Sequence, residues 1–301
     1  MPFDILRRAI GVIGFTFLAI VLPVAATAQI TAPAPAERHD RPRLVVRDAD
    51  VAYLSTERAE FVVSGPIETA PAAIAALQDA GARLLSSRAL PVLDRRVMLF
   101  DLGRHLNLAV ARRLLDQAAP DHLIDYNHLY RFAQGAPRLY ASALVGDNGA
   151  CRQRQSQKIG VIDGPIDVTH PALRQAFITT ETALFGDQQP SDTRHGTAVA
   201  ALIIGEDPNG ALSGFAPGAR LFAMNAFARE HSGVAADVDR IGASLTWMLS
   251  NDVRLINMSF AGPTNTVLAD LLTQAEGAGA IMIAAAGNGG HNSDTLPAIS
   301  P

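Results

Sequence analysis

The spacing of apolar residues divides the chain into two regions of different rhythm. Between residues 58 and 133, short apolar runs alternate with segments in which apolar residues recur at helical spacing. This pattern predicts the element order β-α-β-β-α-β, the ferredoxin-like arrangement of an α+β domain. The predicted strands are 60–65, 83–93, 95–102 and 122–132, and the predicted helices are 70–82 and 107–119.

Beyond residue 157, continuous apolar runs alternate with amphipathic helices. Strands that are apolar on both faces and alternate with helices are typical of a parallel sheet covered on both sides. We therefore predict a doubly wound α/β domain over residues 158–301, joined to the first domain by a linker at 134–157. Its predicted strands are 158–163, 219–227, 253–260 and 280–287, and its predicted helices are 196–205, 234–251 and 265–279.

The N-terminal segment has the pattern of a secretion signal. Two arginines precede an apolar run at 9–25, and the small residues at 26–28 fit a cleavage site. The alternative is a membrane anchor, but the run is short for a spanning helix and contains Pro23. We predict a signal peptide at 1–28, a linker or arm at 29–57, and a secreted or periplasmic protein without a stable membrane span after cleavage.

The composition sets the size of the core and excludes some partners. Of the 301 residues, 49% are hydrophobic, which is enough apolar material for more than one core. The net charge is −4, so the chain lacks the basic excess typical of proteins that bind nucleic acids or anionic membranes. Cys151 is the only cysteine. It is either a buried thiol, or its disulfide partner lies elsewhere.

Polar residues close the predicted parallel strands at the edge where sites collect in such sheets. Asp163 ends the first strand, Ser259–Gly262 close the third, and Asn288 follows the fourth. His195 begins a helix, where the helix dipole disfavours protonation of the ring and favours a neutral base. Each also has a structural interpretation: Asp163 as a turn cap, His195 as a cap or core filler, and Asn288 as a left-handed turn residue. No G-x-G-x-x-G run follows the first strand, so a dinucleotide site is disfavoured.

Together, four motifs resemble those of the subtilisin-like serine peptidases. They are VIDGPIDVTHPAL around Asp163, HGTAVAALIIG from His195, INMSFAGP around Ser259, and AAAGN up to Asn288. Acid, histidine and asparagine follow one another in the family's order, and the resemblance covers residues 158–301. The sequence departs from the family pattern after the acid, at Gly164-Pro165, and at Ala198. Residues 58–133 resemble the propeptide domain that often precedes such peptidases.

The resemblance implies a serine endopeptidase that acts on polypeptides and interacts with its own propeptide. It implies that Asp163 orients His195, that His195 acts as general base and then acid, and that Asn288 donates to the oxyanion. It also implies two substrate-binding stretches, one that pairs with the substrate backbone and one that lines the pocket for the residue before the cleaved bond. These are Ser259, Phe260, Ala261 and Gly262, and then Ala285, Ala286 and Gly287. No cofactor is implied; calcium sites are frequent in the family, yet no acidic loop here matches one.

The family's nucleophile has no counterpart in this sequence. Such a serine lies in a Gly-Thr-Ser-x-Ala context, and no such context occurs in the 301 residues. Ser293 and Ser300 follow Asn288 but lack these neighbours. We therefore expect this chain to be a fragment or a truncated form that is inactive by itself. The alternative is a non-catalytic protein, in which the ferredoxin-like domain acts as an inhibitor or chaperone and the α/β half as a docking module.

Overall fold

A computed structural model of the chain describes residues 60–132, 157–206 and 213–285. All of these residues belong to one compact unit, Val46–Pro301. Outside the described residues lie the predicted signal peptide, the arm at 29–57, nearly all of the linker, and Cys151, Ala286, Gly287, Asn288, Ser293 and Ser300.

The first part of the described chain forms a four-stranded antiparallel sheet with two helices. Its elements are β1 Glu60–Gly65, α1 Ala70–Asp79, β2 Arg83–Leu90, β3 Arg95–Asp101, α2 Leu108–Ala118 and β4 Leu123–Tyr126. The strands lie in the spatial order β2-β3-β1-β4, and each neighbouring pair is antiparallel. The elements therefore follow one another in the β-α-β-β-α-β order that the apolar pattern predicts.

The inner strand β3 of this antiparallel sheet is buried on both faces. On β3, Met98 and Phe100 pack in a core with the helices α1 and α2. Val97 and Leu99 belong to a different core, which they share with the second half of the chain. Successive side chains of a strand point to opposite faces. Because all four of these side chains are apolar, the sheet needs a second partner in addition to its own helices.

The second half of the chain supplies that partner, a five-stranded parallel sheet with helices on both faces. The further elements are β5 Arg131–Phe132, β6 Lys158–Asp163, β7 Phe177–Thr182, α3 Arg194–Ile204, β8 Arg220–Asn225, β9 Ala228–Glu230, β10 Gly233–Ala235, α4 Val238–Ser250, β11 Leu255–Met258, β12 Phe260–Ala261, α5 Thr266–Gly277 and β13 Ile281–Ala284. The parallel sheet has the order β13-β11-β6-β8-β7. The predicted α/β fold is confirmed.

Strand β6 shows how the parallel sheet is covered on its two sides. Ile159 and Val161 pack in a core with Ala200 of α3. Ile162 lies in the other core, with Leu245 of α4. This second core also contains the apolar side chains on the outer face of the antiparallel sheet, so α4 contacts both sheets. Among the described residues, none of the helices has both the length and the apolar character needed to cross a bilayer.

Charged side chains reinforce the junction between the antiparallel sheet and the helices α4 and α5. Arg88 donates from Nε to both carboxylate oxygens of Asp239, at 3.0 and 3.1 Å. Arg95 donates to Asp270, with a shortest distance of 2.8 Å. Asp125 of β4 accepts hydrogen bonds from the first residue of α5, where the positive end of the helix dipole favours an anion. The orientation of the sheet on the helices is therefore fixed at three polar points.

We expect Asp239 to make the stability of the chain dependent on pH. Burial, with the nearby Asp237 carboxylate, raises the pKa of Asp239 from 3.8 to about 6, against the opposing effects of Arg88 and Arg240. The folded state therefore binds this proton more tightly than the unfolded state. This proton contributes about 3 kcal/mol to the free energy of unfolding. The contribution is fully present below pH 4 and is lost as the pH rises through about 6.

Urea unfolding between pH 4 and pH 7.5 measures this effect. Asp239→Asn is expected to remove it, so that the variant loses less stability than the wild-type chain over this range. Asp270→Asn is the matched control, since Asp270 also pairs with an arginine of the antiparallel sheet. Parallel pH profiles for the wild-type and Asp239→Asn chains would contradict the expectation.

The predicted strand at 122–132 is wrong, because the structure divides this segment between two sheets. Strand β4 ends at Tyr126, and β5 pairs with β12 of the second half. Between them, the backbone N–H of Asn127 donates to Glu60 O, while that of Tyr130 donates to Ala236 O. The chain therefore leaves the antiparallel sheet within four residues.

Two further elements differ from the sequence predictions. Strand β7 is absent from the predicted strands. Its sequence, FITTET, lies at the edge of the parallel sheet, and five of its six residues are polar or strongly exposed, so it lacks the apolar run of a buried strand.

The predicted helix at 234–251 begins only at Val238, because Asp237 caps it by accepting a hydrogen bond from the backbone N–H of Arg240. The preceding residues form the hairpin of β9 and β10.

Candidate active site

The candidate site is built around Asp163, the last residue of the central strand β6. Its side chain is 1% exposed, and its Oδ1 accepts a hydrogen bond from the backbone N–H of Gly164 at 2.6 Å. Because the strands on either side run parallel to β6, their carboxyl ends reach the same edge of the sheet. That edge is where ligands bind in open α/β sheets.

His195 lies against this carboxylate. The residue is the second of helix α3, and its Nδ1 is 2.8 Å from Oδ1 and 2.9 Å from Oδ2 of Asp163. An ionised carboxylate only accepts hydrogen bonds, so Nδ1 carries the proton and Nε2 keeps its lone pair. The structure therefore brings together the acid and the imidazole, which are 32 residues apart in sequence.

A glycine makes this approach of helix and strand possible. A Cβ atom at Gly196 would lie 2.6 Å from the carbonyl oxygen of Gly164 and 2.8 Å from that of Pro165. These are backbone atoms of the loop that follows Asp163, so they cannot move aside as a flexible side chain would. The small residue after His195 thus sets how closely the ring can approach the acid.

The pKa of Asp163 is raised above its usual value, because burial outweighs the interactions that favour the ionised carboxylate. Burial raises the pKa of Asp163, whereas the hydrogen bond and charge of His195 and the Gly164 N–H lower it. Loss of the histidine would leave only the Gly164 N–H to oppose the effect of burial, so the pKa of Asp163 would rise further. The same pairing means that a proton taken up at Nε2 is stabilised by the carboxylate on the opposite side of the ring.

The stretch predicted to bind a substrate backbone is paired with the chain's own residues. Phe260 and Ala261 of β12 pair antiparallel with Phe132 and Arg131 of β5. On the other edge of the same segment, Tyr130 exchanges two backbone hydrogen bonds with Ala236, at 2.7 and 2.9 Å. Residues 130–132 therefore lie as a strand between two edges of the second half.

The end of this strand covers the imidazole. The ring of Phe132 stacks on that of His195, with centroids 4.0 Å apart and an angle of 13° between the planes. On its other side it stacks on Phe227, at 4.2 Å and 22°. The sequence analysis missed both phenylalanines. The only local signal is the aromatic-x-aromatic sequence at 130–132, which carries no information about its partner.

The remaining predicted site residues lie near the same sheet edge or outside the described residues. Ser259 follows β11, and its Oγ accepts a hydrogen bond from Asn257. Ala285 follows β13, where its N–H donates to Met258 O. Gly262 lies against the ring of Tyr130, which leaves no room for a Cβ atom. Within 60–132, 157–206 and 213–285, no group of three or more His, Cys, Asp or Glu side chains is placed to hold a metal ion.

Comparison with known proteins agrees with this geometry. Residues 154–300 match the sequence model of the subtilase family. This segment belongs to the subtilase family. The resemblance inferred from the four motifs is thus confirmed, and Asp163 and His195 both lie within the subtilase segment.

Sequence relatives include subtilisin E of Bacillus subtilis strain 168, which is 33% identical over 165 residues. That match covers 53% of this chain and 39% of the relative. The major intracellular serine protease of the same strain is 26% identical over 196 residues, which is 62% of this chain and 58% of the relative. The chain thus spans less than two thirds of the length of these relatives.

Solved structures resemble both halves of the chain. Fervidolysin from Fervidobacterium pennivorans, a keratinolytic enzyme related to subtilisin, matches with a TM-score of 0.59 at 16% identity, over 84% of this chain and 42% of that one. The epidermin leader peptide processing protease of Staphylococcus aureus matches with a TM-score of 0.53 at 15% identity, over 79% and 67% of the two chains. Both matches cover a larger share of this chain than the subtilase segment does, so the shared fold extends into the antiparallel sheet.

Proposed function

We propose that the chain is the N-terminal part of a serine endopeptidase precursor that hydrolyses peptide bonds. The observation that carries this proposal is the contact between Asp163 and Nδ1 of His195, at 2.8 Å, at the carboxyl end of a central strand of a subtilase fold. A carboxylate that holds an imidazole in this way leaves Nε2 free to act on a nucleophile.

In this proposal each residue has one task. Nε2 of His195 takes the proton of a serine hydroxyl as the hydroxyl attacks the peptide carbonyl, and later gives it to the leaving amine. Asp163 keeps Nδ1 protonated and stabilises the imidazolium. Asn288 donates a hydrogen bond to the oxyanion, an effect of about 10²–10³ in kcat in a subtilisin. The serine is absent from the 301 residues, and we place it in sequence that follows them.

We further propose that residues 60–132 are an inhibitory propeptide. The segment 130–132 takes the place against Phe260 and Ala261 where a substrate backbone would pair. The ring of Phe132 closes one face of His195. A strand bound in this way competes with any substrate for as long as the antiparallel sheet stays on α4 and α5. The N-terminal apolar segment supports export of the precursor.

The position of β5 predicts where the precursor is cut. The chain reaches His195 at Phe132, so the next peptide bonds are the first ones that the catalytic groups can reach. We expect the mature N-terminus of the complete peptidase to lie at one of residues 133–136. N-terminal sequencing or mass spectrometry of the processed protein measures it. A first cut beyond residue 157 would contradict the proposed seating of the strand.

Labelling with a fluorophosphonate probe tests the function itself. The 301-residue chain is expected to remain unlabelled, whereas the protein expressed with the coding sequence continued past Pro301 is expected to react. His195→Ala in that longer protein is expected to abolish labelling, because the serine then has no base. If the longer protein does not react, the peptidase proposal fails and the non-catalytic alternative replaces it.

A further inference from the structure

We propose that the rings of His195 and Phe227 form an aromatic slot. The slot selects peptides that place an aromatic side chain between these two rings. The substrate class is then a peptide segment of the form aromatic-x-aromatic, of which Tyr130-Arg131-Phe132 is the built-in example. The claim that such peptides are substrates rests on the proposed peptidase function. The slot itself is a binding site that does not require catalysis.

Three rings form a continuous stack in the slot. Phe132 lies between His195 and Phe227, with centroid distances of 4.0 and 4.2 Å and interplanar angles of 13° and 22°. Both contacts are near-parallel, so only a flat side chain fills the space between the two walls. An aliphatic side chain would touch one wall and leave a gap at the other, with the loss of contact that such a gap entails.

The outer wall of the slot is held in place from several sides. Phe227 is fully buried, and its ring meets that of Phe260 edge-on at 5.5 Å. Its backbone N–H donates to the Asn225 side chain, and its carbonyl oxygen accepts a hydrogen bond from Ser191. The wall is therefore preorganised, and a ligand ring does not have to order it on binding.

The second aromatic position of the class has a site of its own. Tyr130 is fully buried against Gly262, and its hydroxyl donates to Pro263 O at 3.2 Å. Because side chains alternate along a strand, Tyr130 and Phe132 point to the same side. Phe260 contacts the ring of Tyr130 as well as that of Phe227, so one aromatic wall serves both positions.

The slot is tested first in the 301-residue chain by hydrogen exchange at the amide of Tyr130. This amide is bonded to Ala236 O, so its protection reports how tightly residues 130–132 are bound. We expect Phe132→Ala to lower the protection about 10–100-fold and Phe132→Leu to have an intermediate effect. With Phe227→Leu as background, the effect of Phe132→Ala is expected to fall below about 3-fold.

A purely structural role for Phe132 would give the same loss in both backgrounds, and this result would overturn the slot. Phe215→Leu is the matched control, since Phe215 is an exposed phenylalanine of the same half. It is expected to leave the effect of Phe132→Ala unchanged. Phe227→Leu preserves most of the buried volume, so the background variant is expected to fold.

The substrate class is tested in the complete, processed peptidase with peptides of the sequence 127–137 that carry Phe, Leu or Ala at the position of Phe132. We expect kcat/KM to be about 10–100-fold higher for the Phe peptide than for the Ala peptide. Phe227→Leu is expected to reduce this ratio to below about 3-fold, chiefly by lowering the value for the Phe peptide.

The two tests separate the possible failures. Equal kcat/KM values for the three peptides overturn the inferred substrate class and leave the peptidase function standing. If no peptide is hydrolysed while the exchange coupling is present, the proposed function fails and the slot is supported as a binding site. If the coupling is absent, the slot is overturned regardless of any peptidase activity.

Discussion

Replacing Asp163 by asparagine is expected to lower kcat of the complete peptidase about 10⁴-fold. The amide group of asparagine is a donor as well as an acceptor, so it can stabilise the tautomer of His195 that has its proton on Nε2. That tautomer cannot accept the proton of the serine. The variant is nearly isosteric, so the 2.8 Å spacing and the fold are expected to survive.

Asp167→Asn is the matched control for this prediction. Asp167 lies four residues further along the same loop and accepts a hydrogen bond from the Thr169 N–H, which an asparagine can also accept. Its kcat is expected to stay within about 2-fold of the wild-type value. Steady-state kinetics with one peptide substrate measures both variants. A loss of less than about 10-fold for Asp163→Asn would mean that the carboxylate does not set the tautomer.

Arg240→Met is expected to destabilise the chain by about 3–5 kcal/mol, which is the usual effect of breaking a buried ion pair by removing one partner. Arg240 is fully buried in α4. Its Nη2 donates to Glu230 at 2.8 Å, and its Nε lies 3.1 Å from Asp237. Methionine fills much of the space but leaves two carboxylates near each other without their cation.

Chemical denaturation at pH 7 measures this loss. The double variant Arg240→Met with Asp237→Asn is expected to recover part of it, because one of the unpaired charges is then gone and asparagine still caps α4. A destabilisation below about 1 kcal/mol would show that the surroundings of Arg240 accommodate the carboxylates without it. Asp237 directly follows Ala236, whose backbone is hydrogen-bonded to Tyr130. Arg240→Met is therefore also expected to loosen the strand at Tyr130.

The sequence predicted those parts of the site that depend on local patterns. Asp163 ends an apolar strand and His195 begins a helix with small residues, and both features are visible in a short window. The parallel arrangement of the strands then brings the two residues to one edge. The contact between them at 2.8 Å was implied by the family resemblance and not by the spacing alone.

The stacking of Phe132 could not be predicted in this way. Its partners, His195 and Phe227, are 63 and 95 residues away in sequence, and their contact depends on how the antiparallel sheet docks on α4 and α5. The pattern of residues 122–132 contains no turn signal, so it predicted a single strand. The division into two strands arises from hydrogen bonds with Glu60 of the antiparallel sheet and with Ala236 of the second half.

Gly196 has a consequence for how this site tolerates change. The loop carbonyls of Gly164 and Pro165 occupy the space that any larger side chain would need. Saturation mutagenesis is therefore expected to find position 196 as intolerant as position 195, although glycine contributes no functional group. Natural variation at this position would be limited by the distance between the backbone of α3 and that of the loop after Asp163. A survey that counted only reactive side chains would overlook this constraint.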